Sequence, residues 1–322
     1  MKLLTCEVGE ARRLGALVGR DVVDLTLAYE RYLRDEGGGE MAVLAGQVVP
    51  SCMLCFLDKG RPALEAARTA IDHVKKLKDG GMAPELAEQG ILHALDAVRL
   101  TAPIPRPRKN MFCLGLNYAA HIGEGARDEP PPPVPEVPIF FTKPPTSVNG
   151  PYDPIVYSKA TEMLDYEVEF AFVIGKKGKD IPESEAYDHV AGYMVFNDVS
   201  ARDLQRSHGQ WFKGKGLDTF APMGPWIVTR DEIPDPHSLD LMCRVNGETR
   251  QHSNTKNMIF KIPTIIRYLS AGLTLEPGDI VATGTCSGVG IGMKPPRLLS
   301  VGDVVETEIE KIGTLRNTVI AE

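Results

Sequence analysis

The sequence predicts an α+β chain made mostly of strands, with a small N-terminal α+β domain over residues 1–102 and a larger domain over 103–322. Three observations carry this reading. Apolar runs of strand length recur through the second two thirds, at 164–174, 190–196, 241–246, 279–283 and 303–309, with one clear helical stretch at 263–271. Strict alternation of strand and helix, which builds a parallel doubly wound sheet, is not seen. The composition also shifts near position 100, where Pro103, Pro105 and Pro107 stiffen a connector between the two parts.

Each element has its own signal. Residues 2–25 read as short strands broken at Gly9-Glu10 and Gly19-Arg20, and residues 63–77 have helical spacing with Arg and Lys on the polar side. In the run Leu164-Asp165-Tyr166-Glu167-Val168-Glu169-Phe170-Ala171-Phe172-Val173-Ile174, period two puts Tyr166, Val168, Phe170, Phe172 and Ile174 on one face. Glu167, Glu169, Ala171 and Val173 share the other. Two adjacent carboxylates on so apolar a strand repel each other and pay a desolvation penalty unless a cation lies between them or the face is wet. Residues 190–196 read as a second buried strand that ends on Asn197-Asp198, which brings a third carboxylate.

Glu167, Glu169 and Asp198, with no clustered Cys or His, form an all-oxygen donor set that suits magnesium, manganese or calcium rather than zinc. The competing reading of the same segment is a half-exposed antiparallel strand whose two glutamates face solvent.

Composition excludes several classes of function. Of 322 residues, 43% are apolar, which is ample for a packed core, and 36 basic against 43 acidic residues give a net charge of −7. The basic residues are scattered, so neither nucleic acid nor an anionic membrane is expected as a partner. Residues 1–7 lack the apolar core and cleavage site of a signal peptide, and no apolar run approaches a membrane span, so a cytoplasmic location is expected. The six cysteines do not form a disulfide framework. Cys52-x-x-Cys55 is the one close pair, and without a second Cys/His pair or a thioredoxin-like setting both are expected to be packing residues. Cys113 and Cys286 are read as buried structural thiols.

Six motifs then recur in the order of one family: Gly115-Leu116-Asn117-Tyr118-Ala119-Ala120-His121, Phe141-Thr142-Lys143-Pro144, Asp165-Tyr166-Glu167-Val168-Glu169, Asn197-Asp198-Val199-Ser200-Ala201-Arg202-Asp203, Lys215-Gly216-Leu217-Asp218-Thr219-Phe220, and Thr283-Gly284-Thr285-Cys286-Ser287-Gly288-Val289-Gly290. With these motifs the chain resembles the fumarylacetoacetate hydrolase family from about residue 109 to 319. The resemblance implies a rolled mixed β-sheet, a homodimer, and a divalent ion (Mg2+ or Mn2+, with Ca2+ as a substitute) held by Glu167, Glu169 and Asp198. It also implies a small oxo-acid substrate.

His121 and Glu124 are three apart, a spacing that brings two side chains together on a helical turn, although such a pair is usually an ordinary exposed one. The resemblance implies that they form a dyad that activates water. It likewise makes Lys215, rather than its neighbour Lys213, the active-site lysine, suited to stabilising an oxyanion or enolate. The commoner Ala-Lys-Ser-Phe form is replaced here by Gly214-Lys215-Gly216-Leu217, which puts the local pocket shape in question.

The glycine-rich stretch 284–292 lacks the Gly-Lys-Ser/Thr ending of a phosphate loop; in family context it is a substrate loop, with Thr285 contacting a carboxylate or carbonyl. Tyr166, Arg202 and Gln210 are further candidates for the pocket. The six prolines between residues 128 and 138 exclude helix or central strand there and make the stretch a candidate lid.

Together these expectations describe a hydrolase that cleaves the carbon–carbon bond of a 1,3-diketo acid of acylpyruvate or fumarylpyruvate type through a metal-bound enolate, as in aromatic-compound catabolism. The same enolate serves a decarboxylase of 2-oxo diacids such as oxaloacetate, an isomerase of the 2-hydroxyhepta-2,4-dienedioate type, and a keto-deoxy-sugar-acid hydrolase. A metal-stabilised binding module is the non-enzymatic alternative, and it leaves His121, Glu124 and Lys215 without a use.

Overall fold

Strand periodicity, followed along the run at 164–174, explains how the molecule is layered. In the computed structural model, which describes residues 1–36, 40–125 and 133–322, this run forms two strands, Leu164–Asp165 and Val168–Ile174. Phe170, Phe172 and Ile174 point into one apolar core, and Ala171 and Val173 point into another on the opposite face. Every residue of the second strand is buried, so the half-wet alternative for the glutamate pair does not hold. A strand covered on both faces reads as a continuous apolar run, which is the pattern in this segment.

Among the described residues, one sheet of twelve strands organises the molecule. From one edge its main path runs Leu92–Ala94, Asp21–Asp24, Ala11–Val18, Lys2–Val8, Ala221–Thr229, Val190–Asn197, Val168–Ile174, Ile280–Thr285, Met111–Gly115 and Ile139–Lys143. Neighbours on this path are antiparallel except Ile280–Thr285 and Met111–Gly115, which run parallel. A five-stranded sheet, in the order Glu248–Asn254, Asp240–Val245, Val304–Ile309, Gly313–Ala321 and Ile155–Tyr157, shares a core with the inner part of the first. That core holds Leu241, Cys243, Val305 and Leu315 together with Phe170, Phe172 and Tyr193. The helix Ile262–Ser270 adds Ile262, Ile265 and Ile266 to it, a spacing that puts them on one helical face.

The other face of the large sheet is covered by the helices Met53–Lys59 and Arg61–Asp79. Phe56, Leu57, Ala63, Ala67 and Ile71 pack there against Ala171, Val173, Met194 and Ala282. The expected strands at 2–25 and the expected helix at 63–77 are therefore present, the helix longer by about a turn. The N-terminal strands extend the central sheet itself, with Lys2 opposite Val228 and Leu3 opposite Ile227. Helix makes up 32% and strand 34% of the chain, a mixed α+β fold. Much of the helix comes before residue 90, and strands predominate after it. The candidate lid lies partly outside the described residues, at 126–132; residues 133–138 carry no regular element.

Candidate metal centre and proton-transfer dyad

Register builds the centre of the site. Val168 pairs with Asn197 across the antiparallel ladder, so the next residues outward, Glu167 and Asp198, lie opposite each other, and the Asp198 N–H donates to the Glu167 carbonyl at 2.9 Å. Glu169 lies two residues along from Glu167 on the same face. Each of the three offers a carboxylate oxygen within 4.8 Å of the others, and all three residues are buried.

Buried carboxylates this close need compensation, and the chain supplies it as an alternating row of charges. Lys143 donates to Asp198 and to the Val199 carbonyl. Lys215 bridges Asp198 (2.7 Å) and Glu167 (2.8 Å). Arg202 bridges Glu167 (2.7 Å) and Asp165 (2.8 Å). Asp165 in turn accepts the N–H groups of Gly290 and Ile291, which ties the row to the glycine-rich loop. Lys143, Lys215 and Arg202 are three cations set against four carboxylates, all buried.

The surplus falls on Glu169. Among the described residues it has no cation partner in this row and accepts only the Gly284 N–H, at 2.8 Å. Burial, with the charges of Asp198 and Glu167 beside it, pushes its carboxyl well above the usual range. Burial acts in the same direction on Glu167, but the cations of Lys215 and Arg202, with His121 nearby, outweigh it and hold that carboxyl well below the usual range. Burial lowers Lys143 against the pull of Asp198, whereas Asp198 and Glu167 together raise Lys215 despite its burial. An all-oxygen donor set with one uncompensated carboxylate fits a divalent cation, which would reverse the shift at Glu169.

The dyad comes from the turn that follows the strand Met111–Gly115. His121 lies in a short helical turn, Ala119–Ile122, that tightens into Gly123–Gly125, and His121 Nδ1 lies 3.1 Å from Glu124 Oε2. Glu124 Oε1 accepts the Gly288 N–H at 2.5 Å, so the glycine-rich loop holds the carboxylate while the carboxylate orients the ring. Both side chains keep partial exposure, 17% and 20%, unlike the sealed charges behind them. Gly288 permits this contact: its φ is +105°, and a Cβ there would come within 2.0 Å of the Arg250 carbonyl oxygen.

The remaining sequence-predicted residues divide into two groups. Tyr166 is buried and donates to the Gly288 carbonyl at 3.1 Å. The Thr285 hydroxyl donates to the Val168 carbonyl and accepts from Gln251, both at 2.8 Å. Both hydroxyls therefore brace the loop. Arg202 belongs to the charge row, and its Nη2 is buried with no hydrogen-bond partner among the described residues. Gln210 is not brought to the cluster; it lies exposed in the turn after the helix Arg202–Ser207. Gln205, three residues after Arg202 on that helix, touches Arg202 instead at 3.1 Å, a spacing that was available in the sequence. Lys143 and Asp165 were also not singled out, although both lie inside motifs quoted for the resemblance. Cys52 and Cys55 correct an expectation as well: both are exposed rather than packed, whereas Cys113 and Cys286 are buried as expected.

Fold and site together define an enzyme of small-molecule chemistry built around a buried oxygen-donor cluster with the hydrogen-bonded pair His121–Glu124 at its rim. The C-terminal domain profile of the fumarylacetoacetate (FAA) hydrolases matches residues 110–320, and the chain belongs to the fumarylacetoacetate hydrolase family. It is 42% identical over 306 residues to the oxaloacetate tautomerase YisK of Bacillus subtilis, covering 95% of this chain and 98% of that protein. Among solved structures, a fumarylacetoacetate hydrolase from Exiguobacterium antarcticum superposes with a TM-score of 0.77 at 37% identity over the whole of both chains. A 2-hydroxyhepta-2,4-diene-1,7-dioate isomerase from Mycobacterium marinum superposes at 0.62 with 41% identity, over 72% of this chain and 81% of that one.

Proposed function

We propose that the enzyme interconverts the keto and enol forms of a 2-oxo diacid of the oxaloacetate class. The observation that carries this reading is one oriented proton-transfer pair, His121 with Glu124, beside a cation-competent carboxylate cluster, in a chain that aligns almost end to end with an oxaloacetate tautomerase. Glu167, Glu169 and Asp198 would hold a divalent cation, Mg2+ or Mn2+, which when bound supplies Lewis-acid polarisation of the substrate's oxo group. The chain's own residues do the rest. Arg202 Nη2, a buried donor without a partner among the described residues, is the group for a substrate carboxylate. Lys215 spends two of its three N–H groups on Glu167 and Asp198, which leaves one for charge that develops on the substrate oxygen.

Glu124 accepts from His121 Nδ1–H in this reading, which leaves Nε2 as the base. In the keto-to-enol direction Nε2 takes a proton from the carbon next to the oxo group, the electron pair moves onto oxygen, and the protonated ring returns the proton to that oxygen. The reverse direction uses the same two transfers. No water enters and no bond between heavy atoms breaks, so a single dyad is sufficient.

The test follows the ultraviolet decay of enol oxaloacetate with purified protein, first stripped of metal by chelation and then supplied with magnesium. Accelerated decay that requires metal, and that falls by about 10²–10⁴ in His121→Gln, is the expected result. A rate unchanged by enzyme, or an H121Q variant with full activity, would sink the reading.

A second reading, hydrolytic cleavage of a 1,3-diketo acid, is favoured by the same dyad, because His121 can equally take a proton from water, and by the likeness to the Exiguobacterium hydrolase. Pyruvate released from acetylpyruvate or fumarylpyruvate would select it, and carbon dioxide from oxaloacetate would select decarboxylation. Homodimerisation belongs to the proposal too and is checked by light scattering against the 35.2 kDa monomer. No single helix among the described residues is long and apolar enough to cross a membrane, and a cytoplasmic location is part of the same reading.

A further inference from the structure

Cys52 and Cys55 are exposed, lie far in sequence from the charge row, and have no part in the chemistry above. Four other cysteines, Cys6, Cys113, Cys243 and Cys286, are buried. The exposed pair is also unusual in its local geometry. Cys52 immediately precedes the helix Met53–Lys59, and its carbonyl accepts the Phe56 N–H at 2.9 Å, so residues 52–56 already form a helical turn. Positions three apart on such a turn have Cα atoms about 5 Å apart, inside the range that a disulfide spans. The side chains of Cys52 and Cys55 lie on one edge of that turn, and the Cys55 thiol together with the backbone N–H groups of Leu54 and Cys55 favours the Cys52 thiolate.

A cation completes the setting. Arg108, at the end of the proline connector, forms a two-pronged pair with Asp58 on the outer face of the same helix, and its charge acts on both sulfurs. The two thiols differ in consequence. Burial opposes ionisation of Cys52, but the neighbouring Cys55 thiol, the backbone N–H groups and Arg108 outweigh it and bring this thiol below its ordinary value, whereas Cys52 beside it and burial raise Cys55. The attacking thiolate and the resolving thiol of an exchange reaction differ in this way.

We propose that Cys52 and Cys55 form a reactive dithiol that converts to an internal disulfide by exchange with small-molecule disulfides, with Cys52 attacking and Cys55 resolving. The Cys52 thiolate attacks one sulfur of the small disulfide, forms a mixed disulfide and releases one small thiolate. Cys55 loses its proton, and its sulfur attacks the Cys52 sulfur, which closes the Cys52–Cys55 bond and releases the second small thiolate. The protein dithiol is oxidised by two electrons, and the small disulfide is reduced to two thiols.

Leu54, between the two cysteines, packs so closely over Gly278 that a Cβ there would lie 2.3 Å from its Cδ2, and Gly278 leads into the strand Ile280–Thr285 beside Glu169.

The test exposes the native, full-length protein to oxidised glutathione, alkylates the remaining thiols, and maps the products by mass spectrometry. The expected product has lost two hydrogen atoms in the peptide that spans Cys52 and Cys55, with the four buried cysteines protected, and dithiothreitol reverses it. In Cys55→Ser the glutathione adduct on Cys52 should persist, and in Cys52→Ser the adduct on Cys55 should form about tenfold more slowly than on Cys52 in C55S. Independent adducts on both residues of the wild type with no internal bond, equal rates in the two single variants, or two thiols that stay fully alkylatable would each overturn the proposal.

Discussion

At the scale of single residues, the site depends on charge parity. Lys143, Asp198, Lys215, Glu167, Arg202 and Asp165 alternate in sign, so each buried charge meets an opposite one, and Glu169 is left over. This charge row makes two predictions. Glu169→Gln removes the uncompensated charge and keeps the shape, so the metal-free protein should melt at the same temperature or higher while its affinity for divalent metal and its activity collapse. Thermal melts with and without magnesium check this: saturating the wild type at about 100 times Kd should add about 2.7 kcal/mol, and the variant should gain nothing. Lys143→Met acts in the opposite way. It strips the fully buried Asp198 of one cation and should cost about 3–5 kcal/mol in denaturant unfolding. A loss below about 1 kcal/mol would mean that Lys215 alone neutralises Asp198.

At the scale of elements, the glycine-rich loop works as a clamp rather than a phosphate cradle. Its Gly284 N–H holds Glu169, its Gly288 N–H holds Glu124, and its Gly290 N–H holds Asp165, so three backbone donors set the positions of one candidate ligand, the dyad and the end of the charge row. Gly288→Ala should therefore break more than a turn. The positive φ and the approach of the Arg250 carbonyl together call for a stability loss of about 1–3 kcal/mol. Loss of the Gly288 contact should also release Glu124 and lower kcat by more than the stability change would explain. An alanine variant with unchanged kcat would show that His121 does not depend on Glu124 for its orientation.

At the scale of the whole molecule, the central sheet lies between two apolar cores, and the N-terminal part contributes to both. Leu3 belongs to one core and Leu4 to the other, while the helices that cover the second face come from residues before 80. We propose that the division at 102/103 separates two sequence regions that fold on each other rather than apart. A fragment of residues 103–322 would leave the strand Ala221–Thr229 without the pairing of Lys2–Val8 and would uncover Ala171, Val173, Met194 and Ala282. It should aggregate, or recover only when residues 1–102 are supplied in trans; a soluble, cooperatively melting fragment would show that the larger domain stands alone.

Much of this was legible in the sequence because it is governed by local rules. Period two assigned the faces of the run at 164–174 and put Glu167 and Glu169 together; Gly9-Glu10 and Gly19-Arg20 marked the early turns, and helical spacing marked both the helix Arg61–Asp79 and the His121–Glu124 turn. Other features depend on partners distant in the chain. Whether the glutamate face was wet depended on helices more than ninety residues earlier, and whether Asp198 met Glu167 depended on the register of two strands. The partners of Lys143, the hydrogen bonds of Tyr166 and Thr285, the exposure of Gln210 and the contact of Gln205 with Arg202, and the exposure of Cys52 and Cys55 were likewise decided only when the sheet closed. By itself the sequence determined which residue types lie on each strand face and turn, since backbone geometry acts over a few residues. The tertiary structure decided which of those faces are dry and which charges are paired, since burial and ion pairing are set by neighbours that the chain brings in from far away.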